Sequence, residues 1–311
     1  MVLAKLKRNS SQTEPLPLTQ SNYYDHDTDF QYMSKSVFQG FEECEAEELA
    51  ELKGEWDPDD HKKKSSQPDP LIFGNFIHSY FQGEEAHQAF LKEKKTIKEI
   101  YKHNNKGEPT TNLKAAYDKK GEAYSLINKM KLNERFNFYY KPRDPKNKEV
   151  IVTGKIGGYL WKGKIDSLNL EGQYFCDLKT TKDIHAANWI KQGDRNVKTN
   201  FVEAYGYYMQ MAIYQELIRQ TFDITCLPLM FVISKQQPIP EVCNLKFDQY
   251  DPQHPDVKYL MDDALETAKK LQPHFWKVMM GEERPRRCGK CDYCRYTNNS
   301  PDFILPTQIE V

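Results

Sequence analysis

The sequence predicts an α/β domain in which a mixed central β-sheet is flanked by helices. Three observations predict it. Its segments read in the order β-β-β-α-β with helical stretches before and after, an order that covers a central sheet on both sides. With 311 residues, 39% hydrophobic and 13% aromatic, the chain can bury a sizeable core. No internal repeat and no phosphate-binding glycine loop competes with that reading.

Residues 1 to 30 are polar and aperiodic, and are expected as a flexible N-terminal arm. A helix is expected in "MSKSVFQGFEECEAEELAELKGEW", with serines at its capping positions and Cys44, Leu49 and Leu52 along it. After the charged stretch "DPDDHKKKSSQPDP", Asp69 and Pro70 are N-cap and first-turn residues for a helix through "LIFGNFIHSYFQ" that carries His78. Residues 84 to 147 read as helices joined by "KHNNKGEPTT" and ended by "KPRDPKNK". Strands follow in "EVIVTGKIGGYLWKGKIDSLNL" and "YFCDLKTT", then a long helix in "FVEAYGYYMQMAIYQELIRQ", a buried strand in "LPLMFVISK" and a last helix in "KYLMDDALETAKKLQPHFWKVMMG". The expected organisation is an arm over 1–30, a main domain over 31–287 and a cysteine segment with tail over 288–311.

Charge and cysteines narrow the function classes. With 44 basic and 45 acidic residues the net charge is −1, so no global positive field marks a nucleic-acid binder, and any such contact must be local. No apolar run approaches the roughly 18 residues that span a bilayer, and "MVLAKLKRNSSQTEPLPLTQ" has no apolar leader segment; the expected location is the cytoplasm, with no membrane partner. Of seven cysteines, Cys288, Cys291 and Cys294 stand in "CGKCDYCR", a spacing that suits metal binding and needs a fourth ligand. Cys176, Cys226 and Cys243 lie in apolar surroundings and are expected in the core.

The chemistry-bearing stretch is "WKGKIDSLNLEGQYFCDLKTTK". If Glu171 and Gly172 form a two-residue turn, counting back places Asp166 opposite Asp177, and strand alternation brings Lys179 to the same face while Cys176 and Leu178 point into the core. Metal-assisted cleavage of a phosphodiester requires carboxylates to hold the ion and a cation to meet charge building on the phosphate. Asp166, Asp177 and Lys179 supply that set, with the Leu178 carbonyl as an extra ligand for Mg²⁺ or Mn²⁺. An isolated Asp-x-Lys on a strand is usually a surface ion pair, so the hairpin needs support from elsewhere in the chain.

That support is a resemblance to the PD-(D/E)xK nuclease superfamily, and within it to the RecB-type branch. There G-x-x-D is followed by D/E-x-K and, on a later helix, by Q-x-x-x-Y. Gly163-Lys164-Ile165-Asp166, Asp177-Leu178-Lys179 and Gln210 to Tyr214 stand here in that order, and His78 in "GNFIHSYF" matches the branch's metal-binding histidine. The resemblance implies a PD-(D/E)xK core with one ion held by Asp166, Asp177 and the Leu178 carbonyl, assisted by His78, and with Lys179 orienting the attacking water. Gln210 and Tyr214, at i and i+4 on one helix, would face the same groove.

"FGNFIHSYF", "WKGKIDSLN", "YFCDLKTTKDIHAANW" and "QMAIYQE" further resemble the phage and prophage exonucleases related to RecE, over about residues 34 to 297. This implies a ring-shaped homo-oligomer in a bacterial host cell that degrades linear double-stranded DNA from 5′ ends and passes the exposed strand to a RecT-type annealing protein. The alternatives are a RecB-type nuclease trimming single-stranded or 3′ ends, in an AddB-like or CRISPR-associated role, and an inactive DNA-binding module. Cys44 before the motifs and Cys288, Cys291 and Cys294 after them resemble the AddB arrangement for a [4Fe-4S] cluster; the family's longer final gap is absent here, which leaves Zn²⁺ as the alternative. For DNA contact the candidates are Thr180, Thr181, Lys182, Trp189, Lys191, Arg195 and Lys198, which offer hydroxyls and cations for phosphates and an aromatic for stacking.

Overall fold

The computed structural model describes residues 14–61, 67–141, 144–192, 195–235, 239–299, 303 and 305. Its helices are α1 His26–Asp29, α2 Lys35–Leu52, α3 Pro58–His61, α4 Pro70–Gln82, α5 Glu84–Phe90 and α6 Lys94–Ile100, followed by strands β1 Tyr101–His103 and β2 Pro109–Leu113. Helices α7 Glu122–Lys131 and α8 Glu134–Tyr139 lead to β3 Lys148–Ile156, β4 Tyr159–Asn169, β5 Tyr174–Thr181, β6 Asn188–Gln192 and β7 Arg195–Thr199. Then come α9 Phe201–Ala204, α10 Tyr207–Phe222, β8 Leu227–Ser234, β9 Val242–Lys246, α11 Asp256–Met279 and α12 Asp292–Thr297. The chain divides into two compact units, one of residues 64–155 and 161–267, the other of 1–63, 156–160 and 268–311.

The first unit is built on a five-stranded sheet of order β3-β4-β5-β8-β9. β4 and β5 pair antiparallel, β5 and β8 parallel, and β8 and β9 antiparallel, so the sheet is mixed, as the sequence predicts. β8, "LPLMFVIS", is buried almost throughout, which is why it reads as a continuous apolar run without alternation. Cys176, Leu178, Leu229, Phe231 and Ile233 alternate onto one sheet face and pack with Phe73, Phe76 and Ile77 of α4, Leu126 and Ile127 of α7, and Phe136 of α8. Phe175 and Asp177 point to the other face, where α10 supplies Tyr214 and Gln210.

The β4–β5 connection differs from the expected two-residue turn. Asn169 Oδ1 accepts the Gly172 N–H at 2.7 Å and Gln173 takes φ +54°, so four residues, Leu170 to Gln173, make the bend. The register is still that of the symmetric count, with Ser167 paired to Cys176 and Asn169 to Tyr174. Three further departures appear. The expected long helix from Phe201 is broken at Gly206 (φ +64°) into α9 and α10; "KHNNKGEPTT" holds the β1–β2 hairpin; and "NWIKQGDRNVKT" forms a second hairpin, β6–β7.

The second unit contains α2, whose Phe38 and Phe41 pack on Phe275 of α11, together with α12 and the cysteine segment. In the segment expected as an arm, residues 1–13 lie outside the described residues, while Tyr23, Thr28 and Phe30 are buried around α1. Among the described residues, no helix is long and apolar enough to cross a membrane.

Candidate active site and cysteine centre

Helix α4 positions His78. Asp69 caps the helix, accepting from the N–H groups of Leu71 (2.9 Å) and Ile72 (3.1 Å), and Pro70 fills the first turn. Gly74, one turn before His78, lets the helix approach β5: a Cβ there would lie 3.3 Å from Thr180 Oγ1. His78 Nε2 meets Asp166 Oδ2 at 2.7 Å, and its Nδ1 lies 3.6 Å from Glu149 Oε1. Burial opposes protonation of this imidazole, but Asp166 and Glu149 outweigh it and raise its pKa. Burial likewise disfavours the Asp166 charge, and His78, Lys179 and the Leu178 N–H together hold the carboxyl below its ordinary value.

The two expected carboxylates turn to different partners. Asp166 Oδ2 also accepts the Leu178 backbone N–H at 2.7 Å, whereas Asp177 Oδ1 accepts from Gln210 Nε2 (2.6 Å) and from Lys179 Nζ (2.9 Å). Asp177 is 2% exposed, and burial pushes its pKa up to about 6 against the pull of Lys179. Lys179 is raised in its turn, because Asp177 and Asp166 outweigh its own desolvation. The Tyr207 ring lies 5.7 Å from Lys179 Nζ, and burial takes its phenol to about 12.

Glu149 is the member that sequence reasoning missed. It enters β3 with φ +52°, a backbone conformation rarely adopted outside glycine, and that geometry aims its carboxylate at His78 and at Lys164 Nζ (3.9 Å). Burial and the neighbouring Asp166 raise its pKa. Donor atoms of His78, Glu149 and Asp166 all lie within 4.8 Å of one another, a set of hard oxygens and an imidazole that can hold a divalent cation; Asp177 falls outside that group. Lys148, whose Nζ donates to the Tyr140 carbonyl at 2.8 Å, is pushed down to about 7 by burial.

Tyr214 packs against β4. A Cβ on Gly163 would lie 3.1 Å from its ring, so the glycine of G-x-x-D and the tyrosine of Q-x-x-x-Y meet each other. Of the DNA candidates, Thr180 and Thr181 end β5 and Lys182 follows exposed, with Thr181 6% exposed. Trp189 and Lys198 are directly paired on the β6–β7 hairpin and therefore share a face, with Trp189 65% exposed. Arg195 is exposed at the Gln192 position and the Lys191 backbone pairs with Asn196.

The four cysteines come together in the second unit. Cys44 interrupts α2 with φ −157° and ψ 103°, and this kink lets a helical residue project its sulfur toward the C-terminal segment. Cys44 Sγ is 3.6 Å from Cys294 Sγ and 3.7 Å from Cys291 Sγ, and all four sulfurs lie within 4.8 Å of one another. Cys288 Sγ accepts the N–H groups of Lys290 (3.4 Å) and Cys291 (3.3 Å), and Cys291 Sγ accepts that of Cys294 (3.3 Å). Against the effect of burial, those N–H groups bring the Cys288 thiol down to about 7, toward the thiolate a metal needs. Gly289 (φ +72°) makes the turn between them. Glu45 braces the same loop: its carboxylate meets His274 Nε2 at 3.0 Å and accepts the Arg286 N–H at 2.8 Å. Arg287 Nη2 donates to the Cys294 carbonyl at 3.2 Å. The four thiols can hold a metal, as an iron-sulfur cluster or a single ion.

Comparison with known proteins agrees with this architecture. The crystal structure of a "Putative exonuclease" from Eubacterium rectale is 28% identical and covers 93% of this chain and 97% of its own, with a TM-score of 0.74. A second crystal structure, SSO0001, is 15% identical over 82% of this chain and 96% of its own; its TM-score of 0.25 carries no argument. No curated protein matches the chain. Residues 34–297, from the cap of α2 through α12, match the family described as PDDEXK-like domain of unknown function (DUF3799), and the chain therefore belongs to this PDDEXK-like family.

Proposed function

We propose that the protein is a metal-dependent exodeoxyribonuclease acting on linear double-stranded DNA. One observation carries the reading: His78, Glu149 and Asp166 converge to within 4.8 Å, while the adjoining strand holds Lys179 Nζ 2.9 Å from Asp177. The family membership and the similarity to an E. rectale protein named as an exonuclease support it.

His78, Glu149 and Asp166 would hold Mg²⁺ or Mn²⁺, with Asp177 and the Leu178 carbonyl as the further ligands implied by the sequence. The Leu178 N–H points at Asp166, and in an extended strand the C=O of the same residue faces the same neighbour. When bound, such an ion polarises a phosphoryl oxygen and acidifies a water. Lys179, kept protonated by Asp177, supplies a fixed positive charge for the phosphate oxygens as negative charge builds. Gln210 holds Asp177 by its other side, so the acid and the lysine stay in register. Polarity from the 5′ end, a homo-oligomeric ring and hand-over to a RecT-type annealing protein belong to this reading through the RecE likeness.

In this reading the four cysteines would hold a metal, as a single ion or as a cluster. Metal–sulfur bonds of about 2.3 Å set sulfur–sulfur edges of about 3.8 Å, close to the 3.6 and 3.7 Å separations here. A [4Fe-4S] cube holds its cysteine sulfurs farther apart, because each iron sits outward from the cube's centre. The spacing is also that of thiols in van der Waals contact, so it admits Zn²⁺ beside the cluster that the cysteine pattern suggests.

The test is digestion of a linear duplex labelled separately at its 5′ and 3′ ends, with and without Mg²⁺, against Lys179→Ala. Metal-dependent release beginning at the 5′ label and absent from the variant is expected. Release from 3′ ends or single strands only would move the reading to an end-trimming nuclease, and no cleavage by metal-replete protein would leave a DNA-binding module.

A further inference from the structure

Beside the catalytic lysine lies a cavity of about 440 Å³, within the range of about 300–1,000 Å³ typical of small-ligand sites. β5 enters it immediately after Lys179 with Thr180 and Thr181, and Lys182 follows; Tyr205 caps the end of α9 and Tyr207 opens α10; and Lys235 follows the end of β8. We propose that this cavity seats one nucleotide adjoining the scissile phosphodiester, with its base against the tyrosines and its phosphate on Lys182 and Lys235. The proposal rests on the nuclease reading above and adds a substrate subsite to it.

The placement is set by backbone pairing. Thr181 pairs with Ser234 across the parallel β5–β8 ladder, and the Lys235 N–H continues that ladder onto the Thr181 carbonyl at 2.9 Å, so Lys235 is fixed beside the end of β5. Thr181 lies two residues past Lys179, or about 7 Å along an extended strand, the length scale of one nucleotide unit. Tyr207 ties cavity to catalysis: it lines the one, and its ring is 5.7 Å from Lys179 Nζ in the other.

The lining also has the chemistry of a nucleotide. Tyr205 presents a ring 43% exposed, with the Tyr207 ring 6.0 Å away, and aromatic faces of this kind stack on any base. Phe73 gives the cavity an apolar wall, and Lys235 Nζ lies 5.5 Å from the centre of that ring. Among the described residues, Lys182 and Lys235 line the cavity with one carboxylate, Glu122, which acts on Lys235 together with Asp69; the two ammonium groups are the donors for a phosphate. Hydroxyls of Thr180 and Thr181 add donors that suit phosphate oxygens without reading sequence.

The experiment uses the full chain without added Mg²⁺, where binding is measured without cleavage. Anisotropy of a fluorescein-labelled oligothymidylate is followed for wild type, Tyr205→Ala, Lys182→Gln and Lys235→Gln, with thermal melts confirming that each variant folds. Each substitution is expected to weaken binding about five-fold or more, the scale of one lost base stack. Thymidine 5′-monophosphate should compete for wild type better than thymidine does, and lose that advantage in Lys235→Gln. Variants that fold and bind like wild type, while wild type cleaves DNA with Mg²⁺, would overturn the subsite and leave the nuclease reading standing. A wild type that neither binds the oligonucleotide nor cleaves DNA would overturn both.

Discussion

A Cβ on Gly163 would lie 3.1 Å from the Tyr214 ring, a few tenths of an ångström tighter than an ordinary contact, so the strand carrying Asp166 and the helix carrying Gln210 meet closely at this glycine. Gly163→Ala requires the Tyr214 ring to give by a few tenths of an ångström, and so presses on the helix that holds Gln210 against Asp177. The expected outcome is a loss of about 1–3 kcal/mol of stability, the scale of core overpacking, with a fall in nuclease activity. Tyr214→Ala in the same chain should restore part of the stability, and chemical denaturation of the two single variants and the double variant reads that coupling.

The His78–Asp166 pair makes stability depend on pH in a defined window. His78 has a raised folded pKa, so its contribution is complete below its unfolded value of 6.5 and is lost as pH rises through the folded pKa. Asp166 has a lowered folded pKa, so its contribution is present above its unfolded value of 3.8 and is lost as pH falls. In metal-free protein the difference in Tm between wild type and His78→Gln should therefore be largest between 3.8 and 6.5 and shrink on both sides. A difference that is flat from pH 4 to 9 would show that the pair does not titrate as the geometry requires. Binding of Mn²⁺ at this site competes with the His78 proton, so its affinity should rise from pH 6 to 8.

Glu149 combines a costly backbone with a carboxylate that ordinary protein stability does not need. A residue held at φ +52° costs on the order of 1 kcal/mol. Glu149→Gly removes that strain together with a buried charge, so the variant is expected to be at least as stable as wild type. Its Mn²⁺ affinity in calorimetric titration should nevertheless drop about ten-fold or more, the scale of a lost metal-site partner. Lower stability with unchanged Mn²⁺ affinity would assign Glu149 a structural role.

What the sequence made legible follows from how local each feature is. Asp166, Asp177 and Lys179 were readable because strand spacing and a hairpin register place them, and the register is fixed by alternation of Phe175, Cys176 and Leu178 between two buried faces. His78 was placed on a helix by the Asp69 cap and Pro70, and its role came from the resemblance to the RecB-type branch. Glu149 was not, since nothing in "KNKEVIV" announces a positive φ, and its partners come from two distant elements. The β6–β7 hairpin carries polar residues on both faces and so gives no hydrophobic period, while Lys235 gains meaning only from the pairing of β8 with β5. The sharing of Asp166 and Asp177 between two helices was also hidden, because side-chain hydrogen bonds to the Leu178 N–H and to Gln210 decide it.

At the cysteine centre, the kink at Cys44 links metal occupancy to the fold. Its backbone abandons helical geometry in the middle of α2, and the Ala46 N–H beside the kink bonds to the Arg286 carbonyl at 3.1 Å, so helix and C-terminal segment are joined where the sulfurs meet. Removing the metal should therefore loosen α2 and the loop from Cys288 to Cys294 together, although 243 residues lie between Cys44 and Cys288. Hydrogen exchange of chelator-treated protein should show both segments losing protection while β5 and β8 keep theirs. Cys44→Ser should reproduce the loss without chelator, and Glu45→Gln should reproduce it in part, since Glu45 anchors the Arg286 N–H beside the loop. Elemental analysis of protein purified without air identifies the occupant: one zinc per chain and no iron assigns a single ion. Four irons per chain with a visible charge-transfer band would instead assign the cluster, and would require the four sulfurs to spread when it binds.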